Sequence, residues 1–186
     1  PPRSLPRVST SLLLDLTRRH QAPPRHYHTL EHVAAMLHEG RRFPLDEVQT
    51  MAVWFHDAVY DPASDQNEQK SARLATRWLV REGWDVEDVE LVGRIILDTR
   101  AHRPTSPEAA PVVDLDLMSL AVPWPVFEAN TRAIRAEHAH ASDEAFAAGR
   151  RAFFTSMLRR ERLFSTDWGK TLEATARQNL ERALGA

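Results

Sequence analysis

Apolar residues recur along this chain at helical spacing, and nowhere do Val, Ile, Thr and aromatic residues alternate with polar ones over the length of a strand. Leu12, Leu13 and Leu16 predict a helix from about residue 9 to 20, broken by Pro23-Pro24. Leu30, Val33, Met36 and Leu37 predict a second, starting near Thr29 and ending before Gly40. Pro44 opens a third, whose stripe of Leu45, Val48, Met51, Ala52, Phe55 and Val59 continues until Asp61-Pro62 stops it. Asp65 and Glu68 have capping-box spacing ahead of a fourth helix carrying Ala72, Ala75, Trp78 and Leu79. Asp85 caps a fifth, with Val89, Val92, Ile95 and Ile96 inward. A loop rich in Pro, Ser and Thr runs from Arg103 to Pro111, and further helices are expected near residues 113–121, 126–138, 143–160 and 171–184. Gly40, Gly83 and Gly169 fall at the ends of periodic segments, where a residue that tolerates positive φ is favoured. With no internal repeat and no long linker, the expectation is an all-α fold, one domain over residues 1–186 with about eight helices.

Composition narrows the chemistry. At 186 residues, with 42% hydrophobic and 27% charged, the chain can bury a core. It has no cysteine, which excludes disulfides, thiolate zinc sites, iron–sulfur clusters and cysteine nucleophiles, so any metal must be held by His, Asp or Glu. The balance of 24 basic and 26 acidic residues leaves no footprint for a nucleic acid duplex. No apolar run approaches the roughly 20 residues that span a bilayer, so no membrane partner is expected. The Pro1-Pro2-Arg3-Ser4 start lacks an apolar signal core, and a cytoplasmic protein is the default expectation.

Three segments stand out from ordinary helix surface: Arg25-His26-Tyr27-His28-Thr29-Leu30-Glu31-His32-Val33, Trp54-Phe55-His56-Asp57-Ala58-Val59-Tyr60-Asp61-Pro62, and Val112-Val113-Asp114-Leu115-Asp116-Leu117. His56 and Asp57 adjoin the apolar stripe, where they cost free energy unless paired or ligated. A divalent cation satisfies both, and so does a hydrogen-bonded pair without metal. His28 and His32 share a face if their helix begins by residue 28. Their spacing suits a metal clamp, but Thr29 follows His28 where zinc proteases carry Glu. Taken alone, either histidine is better read as sitting on a solvated helix start. Asp116 lies between two leucines, and Asp114 suits a helix cap. Glu137 and His140 form the one Glu-x-x-His spacing, and a ferritin-like di-iron site needs two.

In order, these segments read YHxLxHV, FHDxVYDP followed by Asn67-Glu68-Gln69-Lys70-Ser71-Ala72, and DxDL, with a later Gly149-Arg150 and Leu158-Arg159-Arg160. From about residue 10 to the C-terminus the chain resembles a small bacterial-type branch of the HD superfamily of metal-dependent phosphohydrolases. The resemblance implies His32, His56, Asp57 and Asp116 as ligands of one divalent ion, which could be Mn, Fe, Co, Ni, Zn or Mg. It implies hydrolysis of a phosphomonoester or phosphodiester, a nucleotide first among the candidate substrates, by activated water. The cyclic-nucleotide phosphodiesterases carry a similar YHNxxH segment, and by that likeness His28 is the general acid. Thr29 stands where those enzymes have Asn. His28 and Asp57 are thus the expected catalytic residues.

The chemistry is coherent: a bound metal lowers the pKa of its water from near 16 toward roughly 7, and an imidazolium near the leaving oxygen is worth roughly 10²–10⁴-fold. Asp114 is left as a support for Asp116 or as the ligand in its place. Asn67 and Glu68 are candidates to orient water, with a helix cap as the equal alternative for Glu68. Arg25, Lys70 and Arg103 are weak phosphate candidates, and His102 a substrate contact or helix-end charge partner. His102 is the only histidine between the His-Asp pair and the last Asp, which favours one metal. His20, His26, His38, His138 and His140 are read as surface. A non-catalytic helical module binding a nucleotide or a partner, with a structural metal, is the rival reading.

Overall fold

The computed structural model describes residues 8–185; the Pro1-Pro2-Arg3-Ser4 start, on which the cytoplasmic expectation rests, lies outside the described residues. Among them there are ten α-helices and no strand. They are α1 Thr10–His20, α2 Leu30–Glu39, α3 Glu47–Phe55, α4 Asn67–Arg81, α5 Val86–Ala101, α6 Ala110–Leu117, α7 Trp124–Glu137, α8 Asp143–Leu158, α9 Asp167–Lys170 and α10 Glu173–Leu184, with 3-10 turns at Gly40–Arg42 and Met118–Ala121. No single helix is long and apolar enough to cross a membrane.

Local chemistry sets several ends. Ser9 caps α1 and Ser142 caps α8 through their hydroxyls, and Asp46 with Gln49 forms a reciprocal capping box on α3. That box starts α3 three residues beyond Pro44. The same helix stops at Phe55, short of the expected Asp61-Pro62. The His56 imidazole takes the Val53 carbonyl through Nδ1 at 2.8 Å, and the Arg25 guanidinium takes the carbonyls of Asp57 and Ala58, so the last turn has no reason to continue. Asp65 caps nothing resembling a box: α4 begins at Asn67, whose side chain clips the preceding loop by accepting from the Asp61 N–H and donating to the Asp61 carbonyl. Of the three glycines expected at helix ends, Gly83 has φ +80° and fits that reason. Gly169 fits another: a Cβ there would collide with the Asp114 carboxylate and the Phe164 side chain.

Two hydrophobic clusters share the interior. The first gathers α1 to α5, including Leu12, Phe55, Leu79 and Ile96; the second gathers α7, α8 and α10 around Phe127, Phe154 and Leu180. Helix α6 belongs to both: Val112 and Leu115 enter the first cluster, Val113 and Leu117 the second. Burying apolar surface on two sides fixes its rotation, and with it the direction of every polar residue it carries.

Candidate metal centre

Asp116 is the residue that this rotation aims. From α6 its Oδ1 comes within 3.2 Å of His32 Nε2 and 3.8 Å of His56 Nε2. His32 belongs to the first turn of α2, and His56 and Asp57 to the turn that ends α3. The ligand atoms of His32, His56 and Asp57 all lie within 4.8 Å of one another. Donors at about 2.0–2.2 Å from a zinc-sized ion stand at most about 4.4 Å apart, so a contraction of a few tenths of an ångström closes the group on one cation.

His56 provides the fit test. Its Nδ1–H donates to Val53, which fixes the ring and directs Nε2 into the cluster. Nε2 is buried and makes no hydrogen bond, although Asp57 Oδ2 stands 3.0 Å away. Burial pulls the His56 pKa down, but the negative charges of Asp57, close by, and Asp116 outweigh it and push it up to about 9. Burial likewise opposes ionisation of Asp57 and Asp116, and the histidines beside them overcome it, holding both carboxyls below their usual range. Two carboxylates thus demand positive charge at a buried imidazole nitrogen, and the donor set suits a divalent cation.

Beside this cluster stands a second constellation. His28 lies ahead of α2, not within it, because Thr29 is the residue preceding the first turn. The two imidazoles four residues apart still neighbour each other, with ring centroids 6.3 Å apart. His28 Nδ1 lies 2.7 Å from Glu137 Oε2 at the end of α7, and the ring stacks on Tyr60 at 4.2 Å. The Tyr60 hydroxyl donates to the same Oε2 at 3.0 Å, and the amides of His26, Tyr27 and His28 all donate to Oε1. Burial would raise Glu137; His28 and the amides of Tyr27 and His28 outweigh it and hold the carboxyl at about 2. Burial would lower His28; Asp57 and Glu137 outweigh it and raise its pKa.

The remaining candidates divide. His102 closes α5 in the left-handed region, φ 46°, and places Nε2 3.4 Å from Asp116 Oδ2, on the other oxygen from the one facing His32. Asn67, Glu68 and His102 line the cavity above the cluster. Asp114 does not support Asp116: two residues earlier and so on the opposite side of the helix, it accepts from the amides of Ser165 and Thr166 and from the Thr166 hydroxyl, at the start of α9. Arg25 does not face substrate, since its guanidinium is held by the carbonyls of His28, Asp57 and Ala58. Lys70 is exposed and donates to Ser64, and Arg103 is exposed and does not line the cavity. His20, expected at the surface, is fully buried, with Nε2 3.0 Å from the Trp54 carbonyl.

Sequence reasoning gave Glu137 and Tyr60 no role. The signal for Glu137 was a carboxylate three residues after Ile134 on the inward side of α7; Tyr60 lay inside the second motif. Compared with protein-family models, curated proteins and solved structures, the chain matches none.

Proposed function

We propose that this protein is a metal-dependent phosphohydrolase of HD type, acting on a phosphomonoester or phosphodiester, with nucleotides the first substrates to test. One observation carries the reading: a buried His56 Nε2 without a hydrogen bond, surrounded by His32, Asp57 and Asp116 from separate parts of the chain. His32, His56, Asp57 and Asp116 would hold the ion, and His102 orients Asp116 from behind. Bound there, a divalent cation supplies Lewis acidity to a phosphoryl oxygen and a water of lowered pKa.

The chain's own residues account for the proton. Glu137 accepts a hydrogen bond from the His28 Nδ1–H, which orients the ring and leaves Nε2 to exchange a proton with substrate. The two carboxylates that raise its pKa favour the imidazolium, which is the form a general acid needs. Tyr60 stacks on the ring and shares its carboxylate, so the donor holds its direction. A module with a merely structural metal has no use for a buried carboxylate that orients a partly exposed imidazole at the cavity wall.

The test is purified protein with Mn²⁺, Co²⁺, Ni²⁺, Zn²⁺ or Mg²⁺ and a panel of phosphate esters. Turnover that disappears on chelation and in Asp57→Ala is expected; metal bound in stoichiometric amount with no ester hydrolysed contradicts the reading.

A further inference from the structure

The cavity above the clustered side chains measures about 220 Å³, below the roughly 300–1,000 Å³ of sites that enclose a drug-sized ligand. It admits the head of a substrate. Its lining includes Asp57, Asp116, His28 and His102, and with them Arg150 of α8, Tyr27, Ser119 and Phe153.

Arg150 differs from the other arginines drawn in from solvent. Arg25, Arg135, Arg160 and Arg177 each donate to named backbone carbonyls, and Arg135 and Arg177 also pair with Asp143 and Glu173. Among the described residues Arg150 has no such partner. Its Nε is buried without a hydrogen bond, and its Cζ lies over the Phe154 ring at 4.4 Å and the Phe153 ring at 5.6 Å. Burial lowers its pKa, and the one ionisable group acting against that is Tyr27, a phenol that burial itself keeps protonated. A guanidinium partly drawn out of water without a counter-anion carries a desolvation cost, and its five donors in a planar fork match the oxygens of a tetrahedral oxyanion.

The geometry points to Arg150 as the oxyanion-recognition residue of this cavity, donating to phosphoryl oxygens held between α8 and the metal cluster. The inference rests on the reading of the cavity as a phosphate-ester site and deepens it. The Phe153 and Phe154 rings lie within cation–π distance of the guanidinium and supply no hydrogen-bond acceptor to its donors.

The experiment is calorimetric titration of inorganic phosphate into wild type, Arg150→Gln and Arg150→Lys, with and without Mn²⁺, with circular dichroism and metal content measured on each. Phosphate affinity is expected to fall about 10- to 100-fold in Arg150→Gln at unchanged metal content. Arg150→Lys, which keeps the charge and loses the fork, is expected to fall between the two, and it carries the comparison if the Gln variant does not fold. Equal phosphate affinity in the variants, or no phosphate binding by the wild type, overturns the inference. Turnover is read separately. A protein that binds phosphate through Arg150 and hydrolyses no ester keeps this inference and removes the hydrolase reading; one that hydrolyses esters with Arg150→Gln unaffected does the reverse.

Discussion

Glu137 shows how much one side chain can organise. Its two oxygens gather three backbone amides, a tyrosine hydroxyl and the His28 imidazole, joining the end of α7 to the segment ahead of α2. Glu137→Gln keeps the size and most of the amide contacts but removes the charge that sustains an imidazolium. The expected outcome is a loss of kcat of about 10²–10⁴-fold on the best ester, with metal content unchanged; an unaltered kcat would remove His28 as the acid. His20 makes a separate prediction, about stability. Burial, its largest influence, lowers its pKa from 6.5 to about 4, against the pull of the Trp54 carbonyl. The native state therefore keeps the ring neutral while the unfolded chain protonates it near 6.5. Its contribution is complete above pH 6.5 and is lost as pH falls toward about 4, by about 2–3 kcal/mol at pH 4.5. Urea unfolding at pH 7 and 4.5 should show wild type losing that much more stability than His20→Gln, and parallel profiles would contradict it.

Between elements, Arg25 fastens the leader of α2 to the end of α3. It donates to the His28 carbonyl at 2.7 Å and the Asp57 carbonyl at 2.8 Å, so the His28 segment and the His-Asp turn are held by one guanidinium. Arg25→Met should destabilise the fold by about 2–3 kcal/mol and weaken metal binding, read by urea midpoint and metal titration. A change within about 0.5 kcal/mol, typical of a surface site, would contradict the clamp. This element-level role also marks what the sequence could and could not reveal. The inward stripes of α1 to α5 were legible because burial on one face imposes the helical period, and Val89, Val92, Ile95 and Ile96 are all buried as expected. The end of α3 was not, because side chains distant in sequence take its last carbonyls. Nor was α9, a four-residue helix whose start depends on Asp114 of α6 and the Thr166 cap. His56, Asp57 and His32 stood out as polar residues beside apolar stripes; whether Asp114 or Asp116 faced them depended on how α6 divides its apolar residues between two clusters.

At the scale of the molecule, the candidate centre occupies the seam between those clusters. Helices α2 and α3 bring His32, His56 and Asp57 from the first, α6 brings Asp116 from its position between them, and α7 and α8 bring Glu137 and Arg150 from the second. Ties across the seam reinforce it: Glu137 reaches the residues ahead of α2, and Arg160 at the end of α8 donates to the carbonyls of Ala101 and His102 at the end of α5. The four candidate ligands come from α2, the end of α3 and α6, so they meet only once α6 has packed against the first cluster, and a cation held by them would lie beside the seam between the two cores. The most direct test is a crystal structure of the protein soaked with Mn²⁺, with diffraction recorded for its anomalous signal. The account predicts one strong anomalous peak enclosed by the imidazoles of His32 and His56 and the carboxylates of Asp57 and Asp116. A protein that takes up no Mn²⁺ there, or an ion held elsewhere with His56 Nε2 hydrogen-bonded to Asp57, would contradict it.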